Sequence, residues 1–391
     1  MKIAGRIAQV KPSLTLAITQ KAKSMKAEGV DVVGFGAGEP DFDTPLHIKE
    51  AAKRAIDRGA TKYTPASGTP ELKRAICEKF ERENGIKYVP EEIITSCGAK
   101  HSLYNIFQVI CEKPDEVLII SPYWLSYPEM VHLAEGKPVF VTTDEKNAFV
   151  PSIDDINRKI TQATKAIILN SPSNPTGSVL DRDFLEKIAE IAVAKKIFVI
   201  SDEIYENLLY DGEKRISIAS LGEKIKALSF TVNGVSKSYS MTGWRIGYLG
   251  GPKEIVSHMS AFQSHSTSNP ASISQAAALD ALKGSQAEVK EMKKAFVERR
   301  DYMVERINKI KGLSCVKPKG AFYLFCNIAL TGLDSVALCD KLLEEAKVAC
   351  VPGIAFGSDK YIRLSFATSI ANIKKGLDRI ENWLNNAKNN S

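Results

Sequence analysis

Between residues 92 and 250 the chain alternates between two hydrophobic periods. Short continuous apolar runs recur at 93–96, 117–120, 138–141, 166–169, 197–201 and 227–232, and amphipathic segments of helical spacing separate most of them. An apolar run of that length marks a strand buried on both faces, and its alternation with helices predicts an α/β unit with a mainly parallel sheet flanked by helices. Beyond 250 the spacing turns helical, at 252–262 and 271–282 and then over 288–310. In the last stretch Met292, Phe296, Met303 and Ile307 form a stripe among charged residues, which predicts a long helix linking two domains. Short strands at 313–316, 321–326, 349–351 and 361–365, with helices near 335–346 and 370–386, predict a smaller α+β unit. At the other end, residues 1–30 read as an irregular arm, broken at Lys11-Pro12-Ser13, and then a helix from about Thr15. Thr44-Pro45 is expected to cap a helix carrying Ile48, Ala52 and Ala55 on one face, and a further helix is expected over 70–83. The predicted division is 1–45 as an arm and part of the small domain, 46–289 as the large domain and 290–391 as the small one.

In open α/β sheets, ligands gather beyond the carboxyl ends of the strands, and this is where the unusual residues fall. Lys237 and Arg245 occupy a loop of small, turn-forming residues after the run 227–232. A lysine amine there can trap a carbonyl, and a guanidinium offers a fixed fork to a phosphate. The pair suits a cofactor with an aldehyde at one end and a phosphate at the other, as pyridoxal phosphate (PLP) has; the plain alternative is two surface cations. Gly98-Ala99 opens a helix after the run 93–96, so its free backbone N–H groups suit a phosphate. Lys100 in the same first turn is electrostatically misplaced unless an anion faces it. Trp124 can stack on a planar ring or belong to the core. The amide of Asn174, in a turn-forming Asn-Pro-x-Gly, can donate to a phenolate oxygen. Asp202 ends a strand, where a carboxylate can keep a pyridine nitrogen protonated, and Tyr205 can donate to the ring oxygen. Arg363, inside the apolar segment Tyr-Ile-Arg-Leu-Ser-Phe, needs an anionic partner, either a substrate carboxylate or an internal salt bridge. The glycine cluster at 34–38 runs into Glu-Pro-Asp rather than a helix start, so it does not read as a dinucleotide site.

Composition narrows the class. A net charge of +7 from 53 basic and 46 acidic residues is dispersed along the chain and gives no support to nucleic-acid binding. Seven scattered cysteines without a C-x-x-C pair suggest reduced thiols in a cytosol. No apolar run approaches the ~20 residues needed to span a bilayer, and no signal-peptide core is visible, so a cytoplasmic protein without membrane contact is expected.

The segment Ser-Lys-Ser-Tyr-Ser-Met-Thr-Gly-Trp-Arg-Ile-Gly-Tyr at 236–248 resembles the lysine motif of fold-type I aminotransferases, the aspartate aminotransferase family. With Gly-Ala-Gly-Glu-Pro-Asp-Phe-Asp-Thr-Pro at 36–45 it looks like the bacterial-type branch, and the resemblance extends over nearly the whole chain. It implies the PLP-dependent transferase fold of type I and transfer of an amino group from an L-amino acid, aspartate or glutamate first, to a 2-oxo acid such as 2-oxoglutarate or oxaloacetate. It implies that Lys237 carries the cofactor and shuttles the proton, with Asp202 and Tyr205 as catalytic partners. Gly98, Ala99, Trp124, Asn174 and Arg245 would bind the cofactor, with Tyr63 reaching across a homodimer with shared active sites. Gly38, Lys100, Trp124, Asn174 and Arg363 would bind substrate, with Ser13 and Thr15 of the arm helping Lys100 hold a second carboxylate. Many relatives carry histidine where this chain has Tyr127, which puts histidine support of Asp202 in doubt. Broader, aromatic or prephenate specificity is the nearest alternative. A PLP-dependent cysteine-conjugate lyase and a PLP-sensing regulator are further ones, and a serine-lysine hydrolase on Ser314 and Lys317 lacks its companion motifs.

Overall fold

The computed structural model describes residues 4–8, 10 and 14–389. Ser13 lies outside the described residues, and of Thr15 only its helical backbone, in the helix Leu14–Ala27, is described. Thirteen strands occur among the described residues: β1 Val33–Gly34, β2 Ile93–Ser96, β3 Glu116–Ser121, β4 Lys137–Thr142, β5 Thr164–Asn170, β6 Phe198–Asp202, β7 Ser229–Gly234, β8 Gly247–Gly250, β9 Ser314–Cys315, β10 Tyr323–Asn327, β11 Val348–Ala349, β12 Val351–Pro352 and β13 Tyr361–Ser365.

Seven of them form the central sheet in the order β2-β8-β7-β6-β5-β3-β4. The pairs β3–β4, β3–β5, β5–β6 and β6–β7 are parallel, whereas β8 runs antiparallel to both β2 and β7. Successive strand residues face opposite sides, so each side needs its own apolar cover. Ile119, Ile168 and Ile200 pack with Leu103, Ile106 and Phe107 of the helix Ala99–Ile110. Their neighbours Leu118, Ile167 and Val199 pack with Leu185, Ile188 and Ala192 of the helix Arg182–Lys195. This two-sided burial is why the parallel strands read as unbroken apolar runs.

A four-stranded antiparallel sheet, β12-β13-β10-β9, and the parallel pair β1-β11 follow from the last hundred residues and the arm. The run expected at 349–351 is two short strands in different sheets, because Val348–Ala349 turns to pair with Val33–Gly34. The long helix is Ala287–Ile307, and its buried residues include Arg300 besides the apolar stripe expected from the sequence. Arg300 is fully buried because its guanidinium is forked onto Asp211 at 2.8 and 2.9 Å and donates to Asp301.

Two local readings change. Thr44 does not cap the helix Leu46–Asp57; its hydroxyl donates to Ser240 O at 2.7 Å and accepts from Trp244 Nε1 at 3.1 Å, fastening the glycine loop to the lysine loop. The helix starting at Pro70 is α-helical only to Lys79 and continues as a π-helical turn, Phe80–Asn84. That turn delivers Asn84 to a buried polar cluster in which its amide donates to Glu206 at 2.7 Å and to Ser217 at 2.8 Å, while Lys79 pairs with Glu206. The cluster grips Glu203 and Glu206, which flank Tyr205 in the chain. No helix among the described residues is long and apolar enough to cross a membrane.

Candidate active site

The strands β3, β5, β6 and β7 end on one rim of the sheet, and the segments that leave them wall a cavity of about 630 Å³. Opposite stands β13 of the smaller sheet, and the glycine loop 36–39 closes the side between. Ten of the fourteen residues singled out from the sequence line this cavity: Gly38, Ala99, Lys100, Trp124, Asn174, Asp202, Tyr205, Lys237, Arg245 and Arg363.

Lys237 stands in the turn after β7, and its amine donates to Gly38 O at 2.5 Å. Burial pushes its pKa down to about 8, with Glu39 opposing and Arg363 and Arg245 reinforcing the shift. An amine so placed is neutral, and therefore nucleophilic, in a substantial fraction near neutral pH. Asp202, the last residue of β6, is buried without a cationic neighbour in hydrogen-bonding contact, and desolvation pushes its carboxyl up to about 6. Its Oδ2 accepts a 2.7 Å hydrogen bond from the Tyr127 hydroxyl, and Oδ1 accepts the Ile204 N–H at 3.3 Å. Both bonds favour the ionised form and hold the carboxylate in place.

Arg363 is buried, and among the described residues no carboxylate pairs with it, so the internal salt bridge left open above does not form. Its Nη1 donates to Asn174 Oδ1 at 2.9 Å, Nη2 donates to Gly36 O at 3.1 Å, and Nε has no partner. A buried cation held only by neutral acceptors is costly, and an anion entering the cavity relieves that cost. Asn174 has its own N–H anchored on Asn170 Oδ1 at 2.8 Å, and its Nδ2 makes no hydrogen bond among the described residues.

The rim beside Lys237 is built for an anion. The helix Ala99–Ile110 begins at Gly98 with no side-chain cap, so its first N–H groups and dipole end are available. Arg245 lies beside it, in the left-handed region at φ 57°, and donates to Thr242 O at 2.8 Å and Cys97 O at 3.1 Å. Gly98, at φ 93°, is required there: a Cβ would overlap the Arg245 guanidinium. Lys100 sets its ammonium 4.9 Å from the centre of the Trp124 ring, a cation–π contact at the cavity edge, and burial with the nearby Arg245 lowers its pKa.

Residues 30–380 match the family model described as aminotransferase class I and II. The chain is 50% identical to the aspartate aminotransferase of Geobacillus stearothermophilus, covering 98% of this chain and 99% of that one. It is 46% identical to the aspartate/prephenate aminotransferase of Thermus thermophilus, again over 98% and 99%. Among solved structures, the aspartate aminotransferase of Rhizobium meliloti superposes with a TM-score of 0.95 at 44% identity, covering 98% and 99% of the two chains. This chain belongs to the class I and II aminotransferase family. Its fold is accordingly that of the fold-type I aminotransferases, as the motif at 236–248 led one to expect.

In this aminotransferase two cavity residues carry contacts that the sequence reading did not foresee. Tyr127, noted only as a departure from the family's histidine, supports Asp202 directly. Tyr323 was overlooked: it sits in the apolar run 321–326 and reads there as core, yet its hydroxyl lies 2.9 Å from that of Tyr205 and its ring lies 4.3 Å from the Arg363 guanidinium carbon. Tyr63 stands apart from the cavity at 91% exposure, in the loop before the helix Pro70–Lys79.

Proposed function

We propose that this aminotransferase holds pyridoxal phosphate on Lys237 and moves the amino group of aspartate or glutamate to a 2-oxo acid such as 2-oxoglutarate or oxaloacetate. The observation that carries the reading is the pairing, in one cavity, of a depressed lysine amine with a buried arginine that lacks a carboxylate. The cavity fits the cofactor: an uncapped helix start and Arg245 suit its phosphate, and a lone buried carboxylate, Asp202, suits a protonated ring nitrogen.

Bound there, the cofactor supplies an electron sink for the charge that develops at the substrate Cα. The chain's own residues do the rest. Lys237 would bind the cofactor's aldehyde carbon and, once displaced from it by the substrate amine, would take the Cα proton and deliver it to that same carbon, two bonds from Cα. Asp202, backed by Tyr127, holds a proton at the ring nitrogen. Tyr205 and Asn174 hydrogen-bond the ring oxygen, and Trp124 covers one face of the ring. Arg245 with the Ala99 N–H holds the phosphate; the Gly98 N–H, expected from the sequence to join it, is instead donated to Ser96 O at 2.7 Å. Arg363 and Gly38 orient the substrate's α-carboxylate, with Asn174 fixing the guanidinium plane. The seven-stranded unit thus carries the cofactor, and the unit after residue 290 brings Arg363. A homodimer with shared sites is part of the proposal, supported by Tyr63, whose near-complete exposure leaves its ring free to meet a second copy.

Adding aspartate alone to the purified yellow protein is expected to bleach the visible band of the lysine-bound cofactor and raise the near-ultraviolet band of its amine form. A preparation that stays colourless with excess pyridoxal phosphate overturns the cofactor reading; one that is coloured but unmoved by aspartate overturns the substrate reading. Aspartate is favoured by the names of the relatives above, and the Thermus thermophilus relative, named for prephenate as well, supports testing prephenate as a second amino acceptor.

Lys100 is the specificity post in this reading, facing the substrate's second carboxylate. Lys100→Ala is expected to lower kcat/KM for aspartate by about 10- to 100-fold, the loss of one hydrogen bond to a charged group. Alanine and phenylalanine turnover should change by no more than about two-fold, as for a surface substitution. Equal losses on all three amino acids would remove Lys100 from specificity.

A further inference from the structure

Tyr323, Tyr205 and Arg363 form a chain of contacts that the proposed reaction leaves without a use. Tyr323 opens β10, and β10 is registered against β13 so that Phe325 faces Arg363 and Tyr323 faces Ser365. The Tyr323 ring therefore lies beside the Arg363 guanidinium, 4.3 Å from its carbon to the ring centre. The two phenols meet edge to face, with ring centres 5.8 Å apart and hydroxyl oxygens 2.9 Å apart. All three side chains are buried. A Cβ on Gly38 would come within 3.6 Å of the Tyr323 hydroxyl, and Gly38 O is the acceptor for Lys237. One hydroxyl thus stands where the Arg363, Tyr205 and Lys237 contacts converge.

Two hydroxyls at that distance share one hydrogen bond, so only one of them can donate to the other. The direction decides whether Tyr205 keeps its proton for the cavity. Burial raises both phenols, but Arg363 is the first opposing influence on Tyr323, whereas on Tyr205 it is outranked by the neighbouring phenol and Asp202 also pushes upward. The phenol nearer the cation is the more acidic and hence the better donor. Tyr323 then donates, and Tyr205 accepts while directing its own O–H elsewhere.

We infer that Tyr323 is a positioning residue that donates to Tyr205, strengthens the hydrogen bond Tyr205 offers the ring oxygen, and weakens that bond when a carboxylate neutralises Arg363. The inference rests on the PLP reading above. It links occupancy of the carboxylate site to the basicity of the Lys237 nitrogen: a weaker bond from Tyr205 leaves more negative charge on the ring oxygen, which favours a proton on the nitrogen beside it. The other charged groups acting on Lys237 are Glu39, Arg245, Asp202 and Arg363, and a change at Tyr323 alone removes none of them.

The test is a spectrophotometric pH titration of the holoenzyme's visible band, with and without maleate as an unreactive dicarboxylate. Tyr323→Phe keeps the ring and deletes the hydroxyl. It is expected to raise the midpoint by about 0.4–1 pH unit, the effect of one neutral hydrogen bond. Maleate is expected to raise the midpoint of the unaltered enzyme further, and Tyr323→Phe should shrink that rise. Tyr205→Phe should raise the midpoint more, and adding Tyr323→Phe to it should change nothing, because the second hydroxyl acts through the first. An unmoved midpoint in Tyr323→Phe, or additive shifts in the double variant, overturns the inference and leaves Tyr323 a packing residue. Failure of the unaltered enzyme to show a titrating visible band overturns the parent reading instead, so the two failures are distinct.

Discussion

Lys237→Ala is expected to abolish transamination, with kcat falling on the order of 10⁶-fold, the scale of removing the nucleophile from a group of residues that acts as one unit. The loss is chemical rather than structural, since Lys237 makes a single hydrogen bond, to Gly38 O, and its neighbours are fixed by other contacts. Lys237→Arg separates the roles: a guanidinium keeps the positive charge but never gives up its proton, so it can neither capture an aldehyde nor accept a proton from Cα. Equal inactivity of both variants is expected from turnover assays, and substantial activity in the arginine variant would reduce the lysine to a charge. The same amine sets a pH dependence. Only its neutral form attacks a carbonyl, so the rate at which apo-protein takes up pyridoxal phosphate should rise about tenfold per pH unit below 8 and level off above, following the amine's depressed pKa of about 8. The linkage has a definite sign. The folded amine releases its proton more readily than the unfolded one, so between pH 8 and the ordinary lysine range the unfolded chain binds more protons. Apo-protein stability therefore gains from this group as pH rises through that window. Lys237→Ala should lose that gain in denaturant titrations run at pH 8 and pH 10.

How far the site was legible follows from the range of each interaction. The strand positions and the loops beyond them were visible because burial on both faces writes continuous apolar runs, and a strand end is a local feature. The strand β8 was hidden inside the recognised motif: Gly-Tyr-Leu-Gly lacks the bulky run of a buried strand, since a Cβ on Gly247 would strike the backbone of Gly98 and Ala99. Arg363 announced itself as a cation in an apolar strand, but whether a carboxylate met it depended on a segment almost two hundred residues away, Asn174. The burial of Arg300 was not legible for the converse reason, because its partner Asp211 comes from a distant loop. Tyr127 and Tyr323 carry no local mark at all. A tyrosine among apolar residues reads as core until the residue opposite its hydroxyl is known.

Asp202 ranks second in expected effect. Asp202→Asn keeps the shape of the side chain but removes the charge that can hold a proton on the ring nitrogen. The expected loss in kcat/KM is about two to four powers of ten, matching the ~3–5 kcal/mol of leaving a buried charge without its counterpart. Stability of the apo-protein should move the other way. Burial raises the Asp202 carboxyl to about 6, so between its ordinary range and pH 6 the folded state binds more protons than the unfolded one, and stability falls as pH rises through that window. Above pH 6 the apo-protein bears the full cost of a buried carboxylate, which asparagine does not carry. Thermal unfolding of apo Asp202→Asn at pH 7–8 should thus begin no lower than that of the unaltered apo-protein, while the variant's turnover collapses. Tyr127→Phe provides the graded comparison: it removes the 2.7 Å donor that favours the ionised form, and so should shift the acid limb of activity to higher pH and cost about 10- to 100-fold near neutrality. Retention of activity within tenfold by Asp202→Asn would sink the role given to this carboxylate. A gain in apo-protein stability alongside lost turnover would identify Asp202 as a charge kept in the interior for the chemistry rather than for the fold.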